Sequence, residues 1–354
     1  TEKYIALILN HKGDIKAIDL GSAKTIDKKI QSALFDTEQA SNKSSWDEIS
    51  TLLLTPLANE MSGVSKIFFS PDSEINRVPF AALKSPIGDN LLGEEIDYHL
   101  LTTGRELINS ANNSSLNRKQ RVVVAYPDFN FKINKFKAEK PSRNYAYLPW
   151  TKKEGVEIAD LIDANLYMGE KATSSAILQL KTAPQILHIA SHSFFTPLEG
   201  DSNENVLNKS GVVLAGANFP ENNDEDDGLL TALEVTSLDL EGTELVVISG
   251  CNSASGELRI AEGVYGLKRS IAVAGAKSSL LSLWKVDDRS TSVFMQLFYK
   301  RLRAGESKAD ALAATQKDFR DGNVKSPDTD RWDWSKPFYW AAFQLNGDGG
   351  EIKW

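Results

Sequence analysis

The chain has 354 residues, 41% hydrophobic and 25% charged, the composition of a globular protein long enough to bury one large core or two ordinary ones. Acidic residues outnumber basic ones, 48 to 40, for a net charge of −8, which argues against nucleic-acid binding by bulk charge. Its single cysteine, Cys251, excludes an intrachain disulfide and a multi-thiolate zinc site, and points to a reducing, cytoplasmic compartment.

Taken in order, TEKYIALILN and DIKAIDL read as two strands joined through HKGD, a hairpin. A polar helical region follows from about Thr25 to Glu60, and SKIFFSPD reads as a buried strand ending in a turn. The polar stretch Asn109 to Gln120 is the candidate boundary between two units, 1–118 and 119–354. RVVVAYPD has no polar alternation, which suits a parallel sheet buried on both faces. TKKEGVEIADLIDA has helical spacing, and the apolar runs QILHIASH, GVVLAGA and ELVVISGC come next. Helical patterns EGVYGLKRSIAVAG and STSVFMQLFYKRLRAG follow them. Alternating strand and helix signals predict a mostly parallel α/β sheet. No apolar run approaches the roughly 18 residues of a membrane-spanning helix, and the N-terminus carries no signal-peptide pattern. The chain begins at Thr1 and not Met, so it reads as a fragment or a processed product.

In open α/β sheets, sites gather beyond the carboxyl ends of the strands. QILHIA runs straight into Ser191 and His192, and ELVVIS into Gly250 and Cys251. Two strand exits therefore carry an imidazole and the only thiol, the pair a Cys/His dyad needs. The small residues of SGCNSASG let the backbone turn sharply there, although an ordinary strand-to-helix turn uses the same residues. A lone cysteine after a strand is also often a small buried hydrophobe. His188 lies inside its strand between Leu187 and Ile189 and reads as a structural histidine. Trp332, Trp334, Tyr339 and Trp340 read as core packing. The acidic run Glu221 to Gly228 reads as a solvated or cleavable loop, with calcium binding as the sharper alternative.

HIASHSFF, SGCNSASG, AEGVYGLKRSIAVAGAKSSLLSLWKVDD, FYKRLRAGESKADAL and PFYWAAFQLNGD, in this order, resemble the CHAT domain family, caspase-like cysteine peptidases of the clan that holds caspases and separases. SPDSEINRVPFAAL, TTGREL and LPWTKKE resemble the family's upstream segments, so the resemblance covers nearly the whole chain. It implies His192 and Cys251 as the dyad of an endopeptidase, and the backbone N–H groups of Ser193 and Cys251 as the oxyanion hole. Ser193 stands where the family usually has Gly, and Gly250 where Ala is common, a change expected to be harmless. The resemblance further implies substrate added as a strand beside SLWKVDD. Trp284, Asp287, Asp288 and Ser249 are then the substrate-binding candidates, and Asp288 in particular would select a basic P1 residue. The plain alternative is that Asp287 or Asp288 caps the helix beginning near Ser290.

The fold implied is a caspase-like three-layer α/β sandwich over 119–354, preceded by a smaller, non-catalytic, pseudo-caspase-like α/β unit over 1–118. Metal and cofactor are not called for. The partners implied are a protein or peptide substrate and a regulatory region, often tetratricopeptide repeats, in a larger protein, with no nucleic acid and no membrane; a bacterial setting fits. A catalytically silent scaffold or binding module is the competing class, and a thiol acyltransferase using the same dyad is a third.

Overall fold

The computed structural model describes residues 2–39, 46–112, 118–132, 140–195, 205–222, 226–250, 260–326 and 333–354. Strands β1 (Lys3–Leu9) and β2 (Ile15–Ser22) form the expected antiparallel hairpin. Helices α1 (Ala23–Glu38), α2 (Trp46–Leu53) and α3 (Ala58–Met61) follow. The apolar stripe of α1, Ile26, Ile30, Ala33 and Leu34, is buried at helical spacing. Next come β3 (Lys66–Phe69), α4 (Leu92–Glu95), β4 (Asp97–Leu100) and α5 (Arg105–Asn112).

The rest of the chain alternates as its apolar periodicity requires. It runs through β5 (Arg121–Pro127), α6 (Pro149–Ile162), β6 (Asn165–Gly169), α7 (Ser174–Leu178), β7 (Ile186–Ala190), β8 (Ser193–Phe195), β9 (Ser210–Val213) and β10 (Leu229–Thr231). It continues through α8 (Ala232–Val235), β11 (Leu245–Ile248), α9 (Ile260–Val273), β12 (Ser278–Ser282) and α10 (Asp288–Arg303). Helices α11 (Lys308–Arg320) and α12 (Pro337–Trp340) and strand β13 (Phe343–Gly347) complete it.

Eight strands form one sheet in the order β3-β4-β13-β12-β11-β7-β5-β6. Neighbours are parallel everywhere except at β12–β13. The faces alternate residue by residue: Val123 and Ala125 of β5 enter one core with α1, α2, α6, α10 and α11, and Val122 and Val124 enter the other with α8 and α9. This is the three-layer, mostly parallel α/β sandwich expected of a caspase-like fold. Helix α6 approaches β5 so closely that a Cβ on Gly155 would sit 2.3 Å from that of Ala125, which is why the helix carries glycine despite its helix cost.

Two elements differ from expectation. Strand β3 is not buried: it is the edge of the sheet, its side chains alternate, and Phe68 is 45% exposed. A strand with a single neighbour cannot be covered along both flanks. GVVLAGA supplies β9, which does not join the main sheet; it pairs antiparallel with β8 and β10 in a separate three-stranded sheet. The chain turns out of β7 at Ser191 and His192 directly into β8, and the Val213 N–H closes that turn on the His192 carbonyl at 2.8 Å.

Candidate active site

Strands β7 and β11 are parallel neighbours, in register from Ile186 with Leu245 to Ile189 with Ile248. Their carboxyl ends therefore emerge side by side. The Ser249 N–H continues the ladder to the Ile189 carbonyl at 3.1 Å. Beyond it, the Gly250 backbone lies against the Ser191–His192 peptide, and a Cβ at position 250 would stand 1.2 Å from the Ser191 oxygen. Glycine is thus a steric requirement there, and a Cβ would need the backbone to move. The Gly250 carbonyl accepts from Ser282 Oγ at 2.7 Å, tying the turn to β12.

His192 is 8% exposed, with its ring between Phe129 and Tyr145 at centroid distances of 5.4 and 6.0 Å. Its Nε2 lies 2.8 Å from the Ala146 carbonyl. A carbonyl only accepts, so Nε2 carries the proton and the neutral ring keeps its lone pair on Nδ1. Burial pushes the pKa below the ordinary 6.5, opposed by the Ala146 bond and assisted by the positive charge of Lys285. The segment bearing Ala146 is fixed in turn: Tyr145 N–H donates to Asn218 Oδ1 at 2.7 Å, and Asn218 Nδ2 returns a bond to the Tyr145 carbonyl at 3.1 Å. Cys251 lies outside the described residues, as does Trp332.

Beneath the strand exits sits a buried polar group. Glu154 of α6 accepts from His188 Nε2 at 3.0 Å and Ser249 Oγ at 2.6 Å on the same oxygen. The Tyr299 hydroxyl of α10 meets His188 Nδ1 at 3.2 Å. Glu154, His188 and Tyr299 are fully buried. One carboxylate therefore joins α6, β7 and the end of β11, two residues before the cysteine. His188 is the satisfied structural histidine expected, and Ser249 points into this network.

The remaining candidates lie at the start of α10. Asp287 is the N-cap and accepts from the Ser290 N–H at 2.8 Å. Asp288 accepts from the Trp150 N–H at 2.9 Å, at the start of α6. Burial pushes its pKa up to about 6, with Glu154 and Asp287 adding to the rise against the Trp150 bond. Trp284 is 1% exposed, stacks on Trp46 at 6.5 Å, and donates to the Phe338 carbonyl at 3.1 Å, so its ring is a core group. Ser193 opens β8, paired with Val212. Trp334, Tyr339 and Trp340 are buried in the main core.

The acidic run is pinned on both described sides. Glu221 is bonded by Ser142, Asp226 accepts from Ser174 Oγ and Ser175 N–H at 2.8 Å each, and Asp227 meets Arg143. Among the described residues, no group of three or more His, Cys, Asp or Glu is placed to hold a metal ion.

A profile of the CHAT domain matches residues 43–348 of this chain. The chain belongs to the CHAT domain family. The β1–β2 hairpin precedes the matched span. The chain is similar to tetratricopeptide repeat protein 28 of Homo sapiens, 25% identical over 220 residues, and to that of Mus musculus at 24%. Each match takes in 56% of this chain and only 8% of the relative's length. Among solved structures it is similar to the separase of the Saccharomyces cerevisiae separase–securin complex (TM-score 0.44, 12% identity, 79% of this chain and 15% of that one). It is also similar to the Arg-specific cysteine proteinase gingipain R (TM-score 0.46, 8% identity, 93% and 74%).

Sequence reasoning missed two parts of this CHAT domain's candidate site. Ala146 acts through its carbonyl, which every residue has. Glu154 sits in a helix rich in Lys and Glu, where it looks like a solvent-facing acid; the signal available was its spacing of four and eight from Ile158 and Ile162, which places it on the buried stripe.

Proposed function

We propose that this CHAT domain is a cysteine endopeptidase in which Cys251 attacks the scissile carbonyl and His192 Nδ1 takes and returns the proton. The observation that supports this reading most is the 2.8 Å bond from His192 Nε2 to the Ala146 carbonyl, because it directs the basic nitrogen away from that anchor on a ring whose pKa favours the neutral form. The contact of Gly250, which precedes Cys251 in the sequence, with the Ser191–His192 peptide supports the same reading. The thiolate adds to the carbonyl carbon and the amine leaves with the imidazole's proton. Water, deprotonated by the same imidazole, then cleaves the thioester and regenerates the thiol. The N–H groups of Ser193 and Cys251 hold the oxyanion, and no metal or cofactor enters any step.

Residues 119–354 form the catalytic unit in this reading and 1–118 the non-catalytic one. Asp288 selects a basic P1 residue, with Asp287 and the backbone around Trp284 beside it. The chain works within a larger, regulated protein, as its similarity to part of tetratricopeptide repeat protein 28 suggests. No described helix is long and apolar enough to cross a membrane.

The test is cleavage of a fluorogenic peptide panel varied at P1, by wild type beside Cys251→Ala, paired with iodoacetamide alkylation of the thiol from pH 5 to 9. Cleavage by wild type alone, best after Arg or Lys, is the expected result. Cleavage with another P1 preference keeps the dyad and discards Asp288 as selector. No cleavage together with slow alkylation at pH 7 means an inert thiol, and the protein is then a scaffold. Transfer of the acyl group to an added amine in preference to water would mark an acyltransferase.

A further inference from the structure

Strands β4 and β13 are neighbours in the main sheet, yet only Leu100 and Asn346 pair between them. Strand β3 pairs with β4 along its whole length, and β12 with β13 along its whole length. Toward their amino ends β4 and β13 part. The Phe343 carbonyl is met by the side-chain amide of Gln316 at 3.0 Å. Helices α4 and α11 flank the gap and enclose a cavity of about 270 Å³ that shares no residue with the strand exits. Protein interiors close-pack, so an opening of this size within a sheet stands out, and it lies near the lower end of small-ligand sites.

The walls and the mouth differ in chemistry. Phe80, Tyr98, Leu312, Phe343 and Leu345 make the walls apolar. Glu94, Glu95, Asp97 and Asp310 are exposed carboxylates at the rim, and no Lys or Arg is among the described lining residues. Two of the four are already answered: Glu94 by Arg320 at 2.7 Å and Asp97 by Lys66 at 2.9 Å. The other two are not. Glu95 takes only the Asn90 side-chain amide at 2.7 Å, and Asp310 only the Ser307 hydroxyl at 2.6 Å, so neither has a cationic partner among the described residues. The Tyr98 hydroxyl makes no hydrogen bond among the described residues, although burial pushes its pKa up.

An apolar cleft with two unanswered carboxylates at its mouth and an unbonded phenol on its wall fits a ligand with an aliphatic stem and a cationic head. We propose that the β4–β13 cavity binds an aliphatic cation of arginine or lysine type, its stem along Tyr98 and Leu312 and its head between Glu95 and Asp310. Two sources carry that chemistry, a free alkylguanidine or alkylamine and a basic side chain of a polypeptide. The site is independent of the dyad and of Asp288, and would hold whether or not the chain is a peptidase.

The experiment is calorimetric titration of the Cys251→Ala chain with butylguanidine and with its neutral isostere butylurea. Acetyl-Ala-Arg-Ala-amide and the citrulline counterpart form the second arm. Saturable binding of the guanidine at least tenfold tighter than the urea is expected. Glu95→Gln with Asp310→Asn should weaken it at least tenfold, and both are exposed positions where folding is undisturbed. Ala313→Met, which narrows the mouth from an exposed helix position, should weaken it independently. Asp288→Asn should leave it unchanged. Tighter binding of the arginine peptide than of butylguanidine assigns the site to a polypeptide side chain; equal or weaker binding assigns it to a free cation. Equal affinity for guanidine and urea, retention of affinity in the Glu95/Asp310 double variant, or loss of binding in Asp288→Asn would each overturn the proposal.

Discussion

Two junctions between neighbouring strands of one sheet are built in opposite ways. At β7–β11 the ladder runs unbroken to the strand ends, and Gly250 then lies within contact of the Ser191–His192 peptide. At β4–β13 the ladder consists of a single pair and the strands open on a cavity. The first leaves no freedom in where His192 and Gly250 sit. The second leaves room for something else. Close backbone approach holds atoms for chemistry, and a ladder that stops makes space for a ligand.

The comparison breaks most readily at Glu154. Glu154→Ala strands the His188 and Ser249 donors in the core, each at about 1–3 kcal/mol, so a loss on the order of 2–6 kcal/mol is expected from urea unfolding. Butylguanidine affinity of the folded fraction should not change. If both fell together, the two junctions would be one cooperative unit. Gly250→Ala is next. Its Cβ cannot fit without backbone movement, so a loss of about 1–3 kcal/mol is expected, with peptide cleavage reduced by more than the stability loss explains. Gly93→Ala, at the cavity mouth, would meet only the Tyr98 ring at 3.2 Å and is expected to stay within about 0.5 kcal/mol of wild type. Comparable losses from the two glycine variants would erase the distinction.

A smaller effect than those of Glu154→Ala and Gly250→Ala is the pH dependence of Asp288. Its folded pKa of about 6 lies above the ordinary 3.8, so the folded chain holds a proton that the unfolded chain has released. That contribution is full below pH 3.8 and is lost as pH rises through 6. Asp288→Asn stays neutral and keeps its oxygen for the Trp150 N–H, so the variant should gain on wild type between pH 4.5 and 7.5. Partial exposure limits the gain to about 1 kcal/mol. Urea midpoints at the two pH values measure it, and a gain of opposite sign would mean that the charged carboxylate is the favoured form. Were Asp288 the P1 selector, preference for Arg over a neutral P1 should also rise through pH 6.

Strand and helix identities were legible where one face or both were continuously apolar, as in β5, β7 and β11 and in α6 and α10. Legibility failed where placement depended on a partner remote in sequence. The composition of β9 is that of a central strand, but the immediate turn from β7 into β8 routes it to another sheet. The aromatic pair in β3 suggested burial, although only β4 flanks it. In the candidate site, His192 and the two strand exits could be read directly, because a histidine and a lone cysteine are rare in this chain. Their supports could not: a backbone carbonyl has no side-chain signature, and Glu154 finds its partners 34 and 95 positions away.

The acidic run between Glu221 and Gly228 separates His192 from Gly250 along the chain, but not in space. Strands β9 and β10 flank it and pair with each other, β7 and β11 lie beyond them as ladder neighbours, and Asp226 and Asp227 are moored to residues far upstream. A single backbone cut within the run would therefore yield two polypeptides interleaved in one sheet. They would migrate as one particle in native buffer and separate only in denaturant. The pairing of the β7 and β11 segments depends on the weave of the strands and not on the covalent thread between them.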